Sequence, residues 1–281
     1  MFEIIRNGIF NSVGAPMFGK QDIGVTPGGV MDSFAFETGN ALLCNDTGAP
    51  ALEIILAPSL KFKEDCFFVI TGAKYSEVTL EKSGVKAVVD HGNVCFAAAG
   101  SIIDFNRKEY GFRTCLCYIS AKKSKVALKE GRLRGEFNTI SSWHDPDAKI
   151  RVIEGPEFQY LDDKELFINE YWTVSNDTSS MGMRLENKWI DLSISMSRSM
   201  VSEAVSNGTI QLTPDGPIIL LKHRQTVGGY PRIFNVISVD VDLLAQFSPG
   251  QLIHFKKVTI DEAHDALKKR SEDILKIQKN S

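Results

Sequence analysis

Two polar stretches hold the residue types that could do chemistry. The first is Gly24-Val-Thr-Pro27-Gly28-Gly29-Val-Met31-Asp32, a loop of glycines and proline that runs into a segment with helical spacing. A Gly-Gly pair before a helix start brings backbone N–H groups close to whatever sits in front of it, which suits an anion or a carboxylate. The second is Lys222-His223-Arg224-Gln225-Thr226-Val-Gly228-Gly229-Tyr230-Pro-Arg232, which directly follows the apolar run Ile218–Leu221. Arg224 offers a planar fork suited to carboxylate or phosphate. Gln225 and Thr226 can orient a polar ligand, and Gly228 and Gly229 let backbone approach closely. His223 has the chemistry of an acid or base, and equally that of a structural histidine beside a strand. Glu53, on the face of Ala51–Leu56 opposite Leu52, Ile54 and Leu56, is either an edge residue or a carboxylate held for chemistry.

The elements that must position these residues follow from periodicity. Phe34, Thr38, Ala41 and Leu42 recur at i, i+4, i+7 and i+8, so a helix follows the first loop, with Asp32 or Ser33 as its N-cap. Asn45-Asp46-Thr47-Gly48 supplies residues that tolerate turns at its end. Residues 1–25 read as two short strands with Asn7-Gly8 as a hairpin signal. Further strands are expected at Leu60–Phe62, Cys66–Thr71, Tyr75–Leu80, Val85–Val89, Asn93–Phe96, Ser101–Phe105 and Phe112–Ser120, separated by glycines 72, 84, 92, 100 and 111. Many short strands at about 8–12-residue spacing indicate a barrel or sandwich rather than βα units.

Residues 121–149 are polar and carry no period, so they read as a linker with a solvated charge run. The second half opens with a strand at Lys149–Glu154. A short helix at Phe158–Phe167, strands at Tyr171–Val174, Met183–Leu185, Ile210–Leu212, Ile218–Leu221 and Phe234–Val239, and a short helix at Val241–Phe247 follow. Ser248-Pro-Gly turns into another strand. Ile260, Ala263, Leu267, Ile274 and Ile277 make a stripe down a closing helix, facing the core or a partner.

Composition narrows the function classes. The 281 residues are 43% hydrophobic and 24% charged with a net charge of -3, which favours neither a nucleic-acid backbone nor an anionic membrane. No apolar run approaches the about 18 residues of a membrane span, and Met1-Phe-Glu-Ile-Ile-Arg lacks the basic start of a signal peptide. The five cysteines have no framework or metal-site spacing. Reduced, buried thiols in a cytoplasmic protein are expected.

Five ordered motifs carry a family resemblance: Gly24-Val-x-Pro-Gly-Gly-x-Met-Asp-x-Phe-Ala, Ala51-Leu-Glu53, Met181-Gly-x-Arg184-Leu-Glu, Gly208-x-Ile-Gln-Leu-x-Pro-Asp-Gly and His223-Arg-Gln-Thr-x-Gly-Gly-Tyr-Pro. Together they resemble the allophanate-hydrolase-subunit-2-like or KipA-like family, also called biotin-dependent carboxyltransferases. That family includes the C subunit of bacterial 5-oxoprolinase and half of the carboxyltransferase domain of urea carboxylase. The resemblance is poor from 120 to 148.

The resemblance implies a mainly β protein of two cyclophilin-like β-barrel domains, 1–120 and 149–281, with few helices and a terminal helix. It implies two partners, the Kip-inhibitor-like B subunit of such an enzyme and an A-subunit-like protein. It also implies a small-molecule cyclic amide as substrate, and ATP as cosubstrate on this or another chain. Catalytic roles would fall to Asp32, Glu53, Arg184 and Arg224. Pro27, Gly28, Gly29, Met31, His223, Gln225, Thr226, Gly228, Gly229 and Tyr230 would bind substrate, and no metal is implied. The activity would be ATP-dependent opening of 5-oxoproline to glutamate. The alternatives are a non-catalytic KipA-type regulator, or half of a biotin-dependent carboxyltransferase whose biotin arrives on another protein, since no Met-Lys attachment signature is present.

The chain departs from the family pattern at four places. Ser120-Ala121 stand where a Gly-Gly pair is usual and no Gly-Ser-Arg-Ser-Thr motif follows. Ser180 replaces an arginine, Met183 a tyrosine, and His223 an often acidic residue. The lost Gly-Ser-Arg-Ser-Thr motif favours the regulatory alternative.

Overall fold

The computed structural model describes residues 1–124, 149–190, 192–194 and 200–280. The expected linker at 121–149 lies almost wholly outside the described residues. The rest is mostly β, as expected, and divides into two compact units: Met1–Ala15, Asp32–Asp145 and Ser271–Ser281 in one, Pro16–Met31 and Pro146–Arg270 in the other. The loop 16–31 thus belongs to the second unit, although the strands that precede it in sequence belong to the first.

The first unit holds β1 (Phe2–Arg6), β2 (Ile9–Val13), α1 (Ser33–Leu42), β3 (Ala51–Leu56), β4 (Ser59–Phe62), β5 (Cys66–Tyr75), β6 (Val78–Lys82), β7 (Val85–Val88), β8 (Cys95–Ala97), β9 (Ile102–Phe105) and β10 (Lys108–Ser120). They form two five-stranded sheets, β1-β4-β9-β6-β7 and β2-β3-β10-β5-β8. Leu52, Ile54, Leu60, Phe62, Phe68, Ile70, Ile103 and Leu116 build the core of this unit. On the other side of the second sheet, α1 packs against β5 and β10.

Asn7-Gly8 is not the turn of a hairpin: β1 pairs with β4 and β2 with β3, so the chain crosses between sheets there. A Cβ on Gly8 would lie 2.2 Å from the Leu56 carbonyl oxygen, so the glycine serves the close crossing. Gly72 and Gly111 do not separate strands either. They sit inside β5 and β10 with φ of +81° and +78°. Tyr110 opposes Lys74 and Thr114 opposes Gly72, so β10 carries a bulge just before Arg113.

The second unit holds β11 (Ile150–Glu154), a 3-10 turn (Phe158–Tyr160), α2 (Lys164–Asn169), β12 (Tyr171–Val174), β13 (Gly182–Glu186), β14 (Glu203–Ala204), β15 (Thr209–Thr213), β16 (Gly216–Leu220), β17 (Val227–Gly228), β18 (Arg232–Val236), α3 (Ser238–Leu244) and β19 (Leu252–Lys257). Seven of these strands close a barrel in the order β11-β18-β15-β16-β13-β12-β19, completed by the parallel pair β11–β19. Phe167 stacks on Phe255 and Phe234 at 4.7 and 4.9 Å inside it. The buried Trp172 donates its indole N–H to the Phe167 carbonyl at 2.9 Å.

Several elements differ from expectation. The single helix at Phe158–Phe167 is a 3-10 turn and then α2, because Asp163 caps α2 by accepting from Leu166 N. The strand at Phe234 stops at Val236, because Ser238 already opens α3. α4 (Ile260–Asn280) forms, but Ile260 and Leu267 of the expected stripe are exposed, and Ile277 is its buried apolar anchor.

Candidate functional site

The two Gly-Gly stretches meet within the second unit. Thr26 Oγ1 donates to the Lys222 carbonyl at 2.9 Å, and His223 Nε2 lies 2.9 Å from the Gly29 carbonyl oxygen. A carbonyl only accepts, so His223 Nε2 carries the proton. Gly29 has φ of +86°, and a Cβ there would come within 2.9 Å of Pro16 N. Pro27 and Met31 are buried, and Met31 is part of the barrel core rather than of an open surface.

Arg224 is buried. Its Nε and Nη2 donate to the Val205 carbonyl at 3.2 and 3.1 Å, and Nη1 donates to Asn207 Oδ1 at 2.5 Å. Burial pulls its pKa down, and among the described residues no carboxylate opposes that shift. A guanidinium has five N–H groups, and among the described residues three of them make these bonds.

Gly228 and Gly229 answer to packing. β17 pairs with β14, setting Gly228 opposite Glu203, and a Cβ on Gly228 would meet the buried Gln211 amide at 2.7 Å. A Cβ on Gly229 would lie 3.3 Å from Ser202 Oγ. Gln211 in turn donates to the Tyr230 carbonyl at 3.0 Å. The Gln225 and Tyr230 side chains are exposed, while Thr226 is half-buried and its carbonyl accepts from Val205 N at 3.1 Å.

Sequence reasoning missed what holds this loop in place. Buried Lys222 Nζ lies 2.5 Å from Asp242 Oδ1, and the other Asp242 oxygen accepts from Arg270 Nη1. Arg232 forks onto Glu157 at 2.8 and 2.9 Å and also reaches Glu203 at 2.5 Å. Bonds from Arg232 hold the Glu157 carboxyl below its ordinary pKa. These partners are tens of residues apart, and no local spacing announces them.

Arg184 is elsewhere. Its Nη1 reaches Thr213 Oγ1 at 3.2 Å and the Asp215 carbonyl at 3.3 Å, bracing the β15–β16 turn. That turn is at the start of β16, whereas Arg224 follows the end of β16, so the two arginines serve opposite ends of the barrel. A cleft of about 310 Å³ at the Arg184 end is lined by Trp172, Glu186, Lys188 and Asp215, among others.

The first unit has its own polar cluster. Asp32 is buried and accepts from Ala35 N at 2.9 Å, the N-cap of α1. Across the sheet, Glu53, Cys115 and Thr71 stand side by side in register. Thr71 Oγ1 donates to the Ala35 carbonyl at 2.7 Å, tying α1 to this row. Arg113, placed by the β10 bulge, lies 4.0 Å from Glu53, and both are buried. Burial lowers the Arg113 pKa, while Glu53 and Asp32 oppose the shift. Cys115 Sγ and Cys117 Sγ are 3.6 Å apart, and that contact with burial raises the Cys115 pKa well above its ordinary value. Such thiols are unreactive. Arg113 belongs to this cluster although none of the five motifs contains it. Among the described residues no group of three or more His, Cys, Asp or Glu is placed to hold a metal, and no helix is long and apolar enough to cross a membrane.

A mostly β chain with a closed seven-stranded barrel and two glycine loops meeting at its end defines a class of protein that comparison makes specific. The chain belongs to the carboxyltransferase domain, subdomain A and B, family, matched over residues 23–129 and 119–257. It is 31% identical to the C subunit of Haemophilus influenzae 5-oxoprolinase, covering 88% of this chain and 87% of the relative. It is 29% identical to the C subunit of Escherichia coli 5-oxoprolinase, over 94% and 93%. The urea carboxylase of Kluyveromyces lactis shares the fold with a TM-score of 0.83 at 20% identity; 98% of this chain aligns with 29% of that one.

Proposed function

We propose that this chain is one component of an ATP-dependent amide hydrolase of the 5-oxoprolinase type, which opens the lactam of 5-oxoproline to glutamate. Both 5-oxoprolinase relatives support the reading over nearly their whole length. The observation that carries it is Arg224, a buried guanidinium that, among the described residues, bonds to a carbonyl and an amide oxygen and to no carboxylate. A buried cation is costly unless compensated, and an anionic ligand group would compensate it.

The chemistry gives the anion. A lactam is stable, so the terminal phosphoryl group of ATP activates the amide oxygen. Water then adds to the ring carbon, and the C–N bond breaks with a proton passing to nitrogen to leave an acyl phosphate. A second water attacks that acyl phosphate and releases inorganic phosphate and the carboxylate. Charge builds on oxygen throughout, where arginine and backbone N–H groups stabilise it. ATP and its phosphoryl transfer are assigned to the complex, whose other members are a Kip-inhibitor-like protein and an A-subunit-like protein. The five free thiols fit a reducing, cytoplasmic setting.

One observation favours a second reading, the KipA-type regulator. Three Arg224 N–H groups already bond to Val205 and Asn207, as in a structural brace. The test is co-expression with the two partner proteins and an assay of ATP-dependent glutamate release. Release that needs all three chains supports the enzyme. A stable complex with the Kip-inhibitor-like protein, and no release with any substrate-loaded combination, supports the regulator.

A further inference from the structure

Gly28 and the His223 ring face each other at the barrel end. A Cβ built on Gly28 would meet only the His223 ring there, with Cε1 at 3.5 Å and Nδ1 at 3.7 Å. His223 Nε2 is committed to the Gly29 carbonyl at 2.9 Å. With the proton on Nε2, the neutral imidazole leaves Nδ1 as a hydrogen-bond acceptor. Among the described residues neither the Gly28 N–H nor the Gly29 N–H finds a backbone acceptor. Gly28 has φ of +58°, a conformation that glycine adopts without strain and that leaves this face free of a side chain.

We propose that His223 Nδ1 and the Gly28–Gly29 amides form a paired acceptor and donor that reads the edge of a cis amide. A ring lactam or a urea presents its C=O and N–H on the same side. Its oxygen can then accept from the glycine N–H groups while its N–H donates to Nδ1. A trans peptide points the two groups apart and cannot meet both. The assignment deepens the reading of the Arg224 site, on which it rests, by giving the substrate's amide its own partners.

The test uses the full chain with its partner proteins and two acids of the same shape. One is 5-oxoproline; the other is 5-oxotetrahydrofuran-2-carboxylate, in which a ring oxygen replaces the N–H. Calorimetric titration at pH 8 is expected to show the lactam binding about tenfold or more tighter, because the lactone sets a lone pair against Nδ1. His223→Ala should bring the ratio close to one. His223→Gln, which can present an amide oxygen, should restore part of it. Arg224→Lys should weaken both acids and leave the ratio unchanged. Equal binding of the two acids by the wild type, or an unchanged ratio in His223→Ala, overturns the assignment to His223 alone. Binding of neither acid by the wild type overturns the Arg224 reading and this one with it. A nitrogen-15 spectrum with the proton on Nδ1 also overturns it, whatever the titrations show.

Discussion

His223 Nε2 and the Gly29 carbonyl oxygen are 2.9 Å apart across 194 positions of sequence. That bond fixes the imidazole against the first glycine loop, and the neighbouring bond from Thr26 to Lys222 holds the same two stretches together. Residues far apart in the chain therefore form one end of the barrel unit.

Gly29 and Gly28 should respond differently to substitution. Gly29→Ala puts a methyl group 2.9 Å from Pro16 N at φ of +86°. A loss of about 1–3 kcal/mol is expected in urea unfolding. Gly28→Ala at φ of +58° meets only the His223 ring at 3.5 Å. Its stability loss should be smaller, and a loss equal to that of Gly29→Ala would contradict the packing described.

Asp242 sits between two cations, Lys222 and Arg270, and all three side chains are largely buried. Asp242→Asn removes a negative charge that both cations contact. The expected cost is about 3–5 kcal/mol. Equilibrium denaturation measures it, and a change below about 1 kcal/mol would show that these charges are solvated.

Glu157 gives a pH signature. Its folded pKa lies below the ordinary value of 4.5 because of the bonds from Arg232. A depressed carboxyl stabilises the fold above its unfolded pKa, and that contribution fades as pH falls through the folded pKa. The stability gap between wild type and Glu157→Gln should be constant at neutral pH and narrow below about pH 4.3. A gap that widens on acidification would reverse the sign of the argument.

Asp32 caps α1 through Ala35 N at 2.9 Å. Asp32→Ala should cost about 0.5–2 kcal/mol, and Asp32→Asn, which keeps an acceptor oxygen, should cost less. Equal losses in thermal unfolding would mean that the charge, not the cap, is what Asp32 supplies.

Local features were legible in the sequence. The cap at Asp32 and the helix after it follow from residue types and a 3.6-residue period, and both form as expected. The short strands were visible as short apolar runs recurring about every 8–12 residues. Pairing was not, because Asn7-Gly8 looks like a hairpin turn until Leu56 is seen beside it. Nor could spacing tell that Arg184 braces one end of the barrel and Arg224 the other, since both lie in motifs of similar composition. Arg113 and the Lys222–Asp242–Arg270 set depend on contacts between distant segments, which a single sequence does not encode locally.

The central claim concerns Arg224 as the holder of an anionic group. Arg224→Lys keeps the charge and loses the planar fork. The measurement is ATP-dependent turnover of 5-oxoproline by the complex reconstituted with both partner proteins, wild type against Arg224→Lys. The account predicts an active wild type and a variant slowed by about 2–4 kcal/mol of transition-state stabilisation. An active wild type with an equally active Arg224→Lys would contradict it.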